Sequence, residues 1–151
     1  MSTVARRWPR AAFASLAREE SRLDRRTRRR TVRWILADTR RGAHARAVLD
    51  CLTPYEDPAA GLDNELRQWA TLDDSLTTGP RCPTLVLHGT HDGDAAPAHA
   101  RHAAVTIHGA TLHLVDGGWH LLPLSIHGTT AQIAIRNFLG LADPPFPEAV
   151  S

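Results

Sequence analysis

An acid and a histidine follow two successive strand-like segments in the second half of this 151-residue chain. Asp92 lies after the apolar segment Thr84 to His88, and His120 lies after a second apolar segment, Thr111 to Val115. A carboxylate beside an imidazole fixes the tautomer of the ring and stabilises its protonated form. The other ring nitrogen can then take a proton from a nucleophile and return it to a leaving group. The two residues therefore predict acid–base chemistry.

A catalytic triad also needs a nucleophile, and this sequence offers none in the expected setting. Where the chain order is nucleophile, acid, histidine, the nucleophile is a serine on a Gly-x-Ser-x-Gly turn upstream of the acid. No serine of this sequence has a glycine two residues away on either side, and the two glycines that are four residues apart, Gly89 and Gly93, enclose His91. We therefore expect the chain alone to have little or no hydrolytic activity.

The first half, residues 1 to about 80, has the periodicity of amphipathic helices and shows no strand pattern. From Thr27 to Thr39 the apolar residues fall on one helical face and the arginines fall elsewhere. Similar apolar spacing recurs in Ala45 to Leu52 and in Leu62 to Ala70. Trp34 and Trp69 lie in these predicted helices, and we expect both to cover the core.

From residue 81 onward the pattern changes to strand, helix, strand, helix. The intervening helix is predicted over Ala98 to Ile107. The last helix is predicted from Ala131 to Leu139, with Thr129 or Thr130 as its N-cap and Gly140 as its stop. Two strands that are joined through a helix pair in parallel with a right-handed crossover.

Parallel pairing brings the loops of Asp92 and His120 to the same rim, because functional residues of such sheets cluster at the carboxyl ends of the strands. Gly117 and Gly118 allow the sharp path that carries His120 over this rim. We expect the carboxylate and the imidazole to lie within hydrogen-bond distance, about 2.6–3.2 Å.

Two strands make an incomplete sheet. Their continuous apolar character predicts burial on both faces, and an unpaired strand edge is a site of association. The sequence therefore predicts self-association of the chain through an unpaired sheet edge.

Residues 81 to 140 resemble the C-terminal part of α/β-hydrolase superfamily members. The motifs that carry the resemblance are the strand PTLVLHG from Pro83, the Gly-x-x-Asp turn that ends at Asp92, and the Gly-x-x-His turn that ends at His120. The stretch from Thr53 to Asp74 resembles the segment that leaves the helical cap in esterase-like members. The superfamily's first strands, its oxyanion loop and its nucleophile turn have no counterpart in this sequence.

This resemblance implies an α/β protein, an incomplete α/β-hydrolase-like parallel sheet preceded by a helical cap-like segment. Residues 1–80 would be the cap, 81–141 the C-terminal part of the core and 142–151 a flexible tail. Asp92 would be the acid and His120 the base. The expected function is that of a truncated, esterase-like hydrolase, which acts on a small ester-like substrate only if the missing half is supplied.

Two alternatives to this assignment concern the same loop. Asp94 could replace Asp92 as the carboxylate, although Asp92 occupies the position that the resemblance matches. His88, His91, Asp92 and His99 offer metal ligands, but their spacing matches no recognised zinc motif. We therefore expect neither a metal nor another cofactor.

The charge distribution suggests a function of another class. All 18 basic residues are arginines, and the densest cluster is Arg25, Arg26, Arg28, Arg29 and Arg30. Such a cluster can bind phosphates or an acidic partner, or it can be the solvated face of a helix. Because acidic residues are interleaved with it, nucleic-acid binding is not expected. The alternative function is a small Arg-rich interaction module for an acidic partner.

The sequence has no apolar run of the roughly 18 residues that a membrane span requires and no signal-like N-terminus. We therefore expect a cytoplasmic protein without a membrane segment. Cys51 and Cys82 match no metal or redox spacing and are expected to be small buried residues.

Overall fold

The computed structural model describes residues 9–52, 58–72 and 80–141. It has the α/β architecture predicted from the sequence, with the helices first and a small parallel sheet second. The helices are α1 (Pro9–Glu19), α2 (Arg25–Leu36), α3 (Thr39–Leu52), α4 (Pro58–Trp69), α5 (Pro97–Thr106) and α6 (Gly128–Phe138), and the strands are β1 (Leu85–Gly89) and β2 (Thr111–Val115).

The side chain of Asp24 fixes the start of α2. Its carboxylate accepts hydrogen bonds from the backbone N–H of Arg26 at 2.7 Å and of Thr27 at 3.0 Å, two donors that have no partner within the helix. The Thr27 hydroxyl also donates to this carboxylate, and this bond is the main cause that holds the pKa of Asp24 below its ordinary value. Along α2, the buried residues Thr31, Val32 and Ile35 face the protein interior.

One hydrophobic core joins the first three helices to the segment after β2. Helix α2 packs against both α1 and α3. Apolar side chains from both halves of the chain are removed from water together, which is the main driving force for such packing. The buried members of the core are Phe13, Leu16, Ala17, Leu23, Val32, Ile35, Ala45, Leu49, Trp119 and Leu124.

Strands β1 and β2 pair in parallel, with Leu85 opposite Thr111 and Gly89 opposite Val115. Helix α5 connects them, so the strand, helix, strand, helix order predicted from the sequence is confirmed. Within the described residues the sheet contains these two strands alone. The prediction that both faces of the sheet are buried is wrong within the described residues. Most strand residues are only half-buried, because α5 and α6 cover the two strands incompletely.

The last helix begins earlier than predicted from Thr129 and Thr130 as N-cap candidates. Helix α6 starts at Gly128 with His127 in the N-cap position, so neither Thr129 nor Thr130 is the cap. The N–H of His127 donates to the Ser125 hydroxyl at 3.1 Å, and this turn starts the helix before the threonines are reached. The predicted stop at Gly140 is confirmed by its left-handed φ of +65°.

Three predictions of burial are wrong. Trp69 is 60% exposed, because α4 contributes no residue to the core of the described chain. Cys51 and Cys82 are also exposed, since one lies in the last turn of α3 and the other precedes β1. Trp34 packs partly buried against the core, as expected.

The predicted tail, residues 142–151, lies outside the described residues, and so does part of the cap-exit segment. The division of the chain at residue 80 stays a prediction. None of the helices in the described ranges has the length and apolar character that crossing a membrane requires.

Within the described residues, β1 pairs with β2 on one side and has no strand on the other side, which we call its open edge. The N–H of Thr111 donates to the carbonyl of Thr84, so in a parallel ladder the N–H of Val86 is directed to β2 and the N–H of Leu87 to the open edge. We expect the purified protein to associate with increasing concentration in sedimentation velocity. Leu87→Pro, which removes an outward donor, should weaken this association.

The matched control is Val86→Pro, which removes a donor of the ladder and should unfold the sheet instead of blocking its edge. A wild-type protein that sediments as one monomeric species at every concentration and melts in one cooperative transition would contradict association through the edge.

Candidate active site

The two loops that follow the strands lie against each other at the carboxyl end of the sheet. We call Thr90–Ala96 the acid loop and Asp116–Leu121 the histidine loop. The N–H of Thr90 donates to the carbonyl of Val115 at 3.0 Å, and the N–H of His91 donates to that of Gly118 at 2.8 Å. The parallel pairing thus continues beyond the strands, and the site residues are carried on backbone that is already hydrogen-bonded.

Gly89 makes this close approach of the loops possible. A Cβ atom at this position would lie 2.4 Å from the carbonyl oxygen of Gly118, a distance that real Cβ atoms do not adopt. The backbone of the histidine loop therefore passes directly over the end of β1, where only glycine leaves room for it. Gly117 has a φ of +69°, which is consistent with the sharp path predicted for this loop.

The hydroxyl of Thr90 links the two loops a second time. It donates to the carboxylate of Asp116 at 3.1 Å and accepts a hydrogen bond from the N–H of Gly117 at 3.0 Å. One side chain thus fixes the beginning of both loops.

Asp92 is the buried centre of the site, with only 3% of its surface exposed. Its Oδ1 atom accepts hydrogen bonds from the backbone N–H of Asp94 at 2.9 Å and of Ala95 at 2.8 Å. Its Oδ2 atom lies 3.1 Å from Nδ1 of His120 and 3.4 Å from Nε2 of His88. One oxygen of the carboxylate therefore shapes the acid loop, and the other faces the histidines.

His120 lies between two carboxylates. Its Nδ1 atom contacts Asp92, while its Nε2 atom lies 3.7 Å from Oδ2 of Asp94. Its side chain is 37% exposed. An imidazole that is held at Nδ1 by a buried carboxylate presents Nε2 as the nitrogen that exchanges protons with a substrate or a nucleophile.

The structure thus brings together the two residues predicted from the sequence, at the expected distance. The alternative acid, Asp94, contacts the opposite ring nitrogen of His120, and its side chain is 67% exposed. Asp94 is not placed to orient the ring from Nδ1, because Asp92 occupies that side.

The alternative metal group is not assembled. Nε2 of His88 lies 3.1 Å from the carbonyl of Ala95, and Nδ1 of His91 lies 3.0 Å from the hydroxyl of Thr90, so both rings have protein partners. Among the described residues, a different group of side chains offers possible metal-ligand atoms within 4.8 Å of one another. This group consists of Glu20, Asp94 and His120.

Glu20 is a site residue that the sequence analysis missed. Its backbone carbonyl accepts hydrogen bonds from the N–H of Gly93 at 3.1 Å and of His120 at 3.3 Å, one from each loop. The N–H of Arg22 donates to the carbonyl of His91 at 2.8 Å, and Ser21 forms an isolated antiparallel bridge with Asp92. The segment 20–22, just after α1, therefore fastens the two loops together.

Gly93 is the position that lets this segment approach. A Cβ atom there would lie 2.6 Å from the backbone nitrogen of Ser21 and 2.9 Å from the carbonyl carbon of Glu20. Contacts between backbone groups this far apart in the chain leave no periodicity or motif in a sequence. In the sequence, Gly93 indicates that another backbone segment comes close to the acid loop. It does not indicate that this segment is residues 20–22.

The side chain of Glu20 lies within the electrostatic field of the site. Burial is the main cause that raises the pKa of this carboxyl above its ordinary value of 4.5, and the charges of Asp94 and Asp92 raise it further. His120 acts in the opposite direction. Three acidic side chains and one histidine are therefore coupled in this part of the protein.

Trp119 anchors the histidine loop in the core. It is 1% exposed and is one of the largest fully buried side chains, as expected for a packing residue beside His120. Within the described chain its indole N–H has no hydrogen-bond partner.

No protein-family model matches the sequence. Among solved structures, the chain is similar to an alpha/beta hydrolase fold protein from Nakamurella multipartita, with a TM-score of 0.76 and 27% sequence identity. The alignment covers 91% of this chain and 47% of that protein, so the chain spans about half the length of its structural relative. This similarity, which includes the helices as well as the sheet, places the chain in the α/β-hydrolase superfamily.

The raised pKa of Glu20 predicts how stability depends on pH. The folded protein retains the Glu20 proton at pH values where the unfolded chain has lost it, so the contribution of Glu20 to the free energy of unfolding should fall as the pH rises above 4.5. Glu20→Gln removes this contribution, and urea unfolding at a series of pH values should show a shallower decline.

Glu19→Gln is the matched control, because it removes one carboxylate from the neighbouring position, whose side chain is 60% exposed. A Glu20→Gln variant whose stability falls as steeply with pH as that of the wild-type protein would show that Glu20 does not carry the effect.

Proposed function

We propose that this chain is the acid and histidine part of an esterase-like hydrolase, a truncated form of the α/β-hydrolase fold that is inactive alone. The observation that carries the proposal is the contact between Oδ2 of Asp92 and Nδ1 of His120 at 3.1 Å, with Nε2 of the same ring on the outer side. This is the arrangement in which an imidazole serves as base and then as acid.

In the proposed reaction, Nε2 of His120 takes the proton of a nucleophilic hydroxyl as the oxygen attacks the ester carbonyl. The imidazolium then returns this proton to the leaving alcohol as the carbon–oxygen bond breaks and an acyl-enzyme remains. Water repeats the sequence and releases the acid. Asp92 stabilises the imidazolium throughout, because its carboxylate lies against Nδ1 and is kept in place by two backbone N–H groups.

In this proposal the nucleophilic hydroxyl comes from outside the sequence described here. The group beside Nε2 of His120 is the carboxylate of Asp94, which is not the serine or cysteine that acyl transfer requires. No Gly-x-Ser-x-Gly turn occurs in the sequence. The coverage of 47% of the structural relative supports the idea that a further set of strands completes the fold.

The substrate class follows from this proposal and from the resemblance of the helical half to a cap. We expect a small ester-like molecule, with residues 1–80 as the cap that selects it and residues 81–141 as part of the catalytic core. The proposal also includes a cytoplasmic location, no cofactor and self-association through an unpaired sheet edge.

The proposal predicts that the isolated chain does not turn over a short-chain aryl ester. Without the nucleophile, only residual catalysis from binding and electrostatics is expected, orders of magnitude below that of an intact triad. The measurement is the initial rate against substrate concentration, beside His120→Ala. Saturable turnover in the wild-type chain that His120→Ala abolishes would overturn the proposal.

A chimera tests the positive part of the proposal. The C-terminal part of an active esterase of the superfamily would be replaced by this chain, so that a Gly-x-Ser-x-Gly segment stands upstream. Esterase activity should then depend on His120 and Asp92. Asp92→Asn should reduce kcat by about 10⁴-fold, as loss of the triad acid does elsewhere.

Asp94→Asn is the matched control, since it removes a carboxylate from the same loop and should leave most of the activity. A folded chimera that is active with His120→Ala, or that loses more activity with Asp94→Asn than with Asp92→Asn, would contradict the assigned roles.

A further inference from the structure

Helices α1 and α2 form the walls of an open groove of about 600 Å³. Cationic side chains dominate its lining, and no acidic residue of the described chain takes part in it. The arginines that line it are Arg10, Arg18, Arg25, Arg28, Arg29 and Arg33.

Little within the described chain neutralises this charge. Arg18 lies 3.5 Å from the carboxylate of Glu19, and its side chain is 67% exposed, so this ion pair is weak. The nearby Asp24 is engaged by the backbone and hydroxyl donors at the start of α2. Among the described residues, the other five arginines of the groove have no ion pair.

The arrangement opposes the stability of α2. Arg25 and Arg29, and likewise Arg29 and Arg33, are four residues apart on one helical face, where like charges repel. Arg25 and Arg28 also lie near the N-terminus of the helix, where the helix dipole disfavours positive charge. Sequence choices that conflict with local stability are expected where a function requires them.

Two arginines outside the groove have structural partners within the described chain. The guanidinium of Arg41 lies 4.2 Å from the ring centre of Trp34 and donates to the carbonyl of that residue at 3.2 Å. Arg67 forms an ion pair with Asp63 at 2.5 Å. Among the described residues, the groove therefore gathers five guanidinium groups that have no ion pair.

The remaining lining residues are Ser15 and the apolar residues Ala11, Ala14 and Val32, and we call these three the apolar floor of the groove. Among the described residues no aromatic side chain lines it, so this part of the chain offers no platform for the stacking that single-stranded nucleic acids use. An apolar floor between rows of guanidinium groups is instead complementary to an acidic peptide with aliphatic side chains, in which carboxylates meet the arginines.

We propose that the groove between α1 and α2 is a docking site for an acidic, amphipathic peptide segment of a partner protein. Guanidinium groups on its two walls bind the carboxylates, and the apolar floor takes the aliphatic side chains. The site is independent of the hydrolase chemistry, because it uses none of the residues around His120.

The test measures binding of a fluorescently labelled synthetic peptide of Glu, Ala and Leu, with its leucines at helical spacing, to the full chain at physiological ionic strength. The groove variant is Arg25→Gln with Arg29→Gln. The matched control is Arg26→Gln with Arg30→Gln, which lie on the same helix at the same spacing but outside the groove. Both variants lose equal charge, while the groove variant relieves two repulsive pairs of α2 and the control relieves one.

We expect saturable binding that the groove variant weakens about tenfold or more, while the control changes it less than about twofold. A peptide with serine in place of leucine should bind more weakly, and a single-stranded oligonucleotide should bind more weakly than the peptide. Melting curves establish that both variants are folded.

Three outcomes would overturn the proposal. Equal losses in both variants would mean that net charge alone attracts the peptide. Unchanged affinity of the serine peptide would mean that the apolar floor takes no part. An oligonucleotide that binds more tightly than the peptide would mean that the groove is a nucleic-acid site.

Discussion

The buried carboxylate of Asp92 is the interaction on which the rest of the site depends. A charge that is 3% exposed is costly unless it is hydrogen-bonded, and here two backbone N–H groups and two histidine rings surround it. Hydrogen bonds to a charged group each contribute about 1.5–3 kcal/mol. The same carboxylate therefore determines the shape of the acid loop and the orientation of His120.

The helical half takes part in this geometry directly. The carbonyl of Glu20 holds one N–H from each loop, and Trp119, next to His120, is buried among side chains of α1, α2 and α3. A displacement of α1 would therefore disturb the acid and the histidine together. In the proposed function the helical half would therefore both cover a substrate and support Asp92 and His120.

The sequence predicted the part of the site that depends on local pattern. Two apolar runs joined by a helix specify a parallel pair, and that pairing brings Asp92 and His120 to one rim. Glu20 was not predictable in this way, because it acts through its backbone carbonyl on residues far along the chain. The exposure of Trp69 has a similar origin: helical periodicity identifies an apolar face but does not say what covers it.

The central claim is that this chain by itself orients His120 through Asp92, before any nucleophile is present. Long-range ¹⁵N–¹H correlation spectra of the histidine rings test it most directly, since they distinguish a proton on Nδ1 from one on Nε2. The account predicts that the neutral ring of His120 carries its proton on Nδ1, that Asp92→Ala abolishes this preference and that Asp94→Ala preserves it. A proton on Nε2 in the wild-type chain, or a preference that survives Asp92→Ala, would contradict the account.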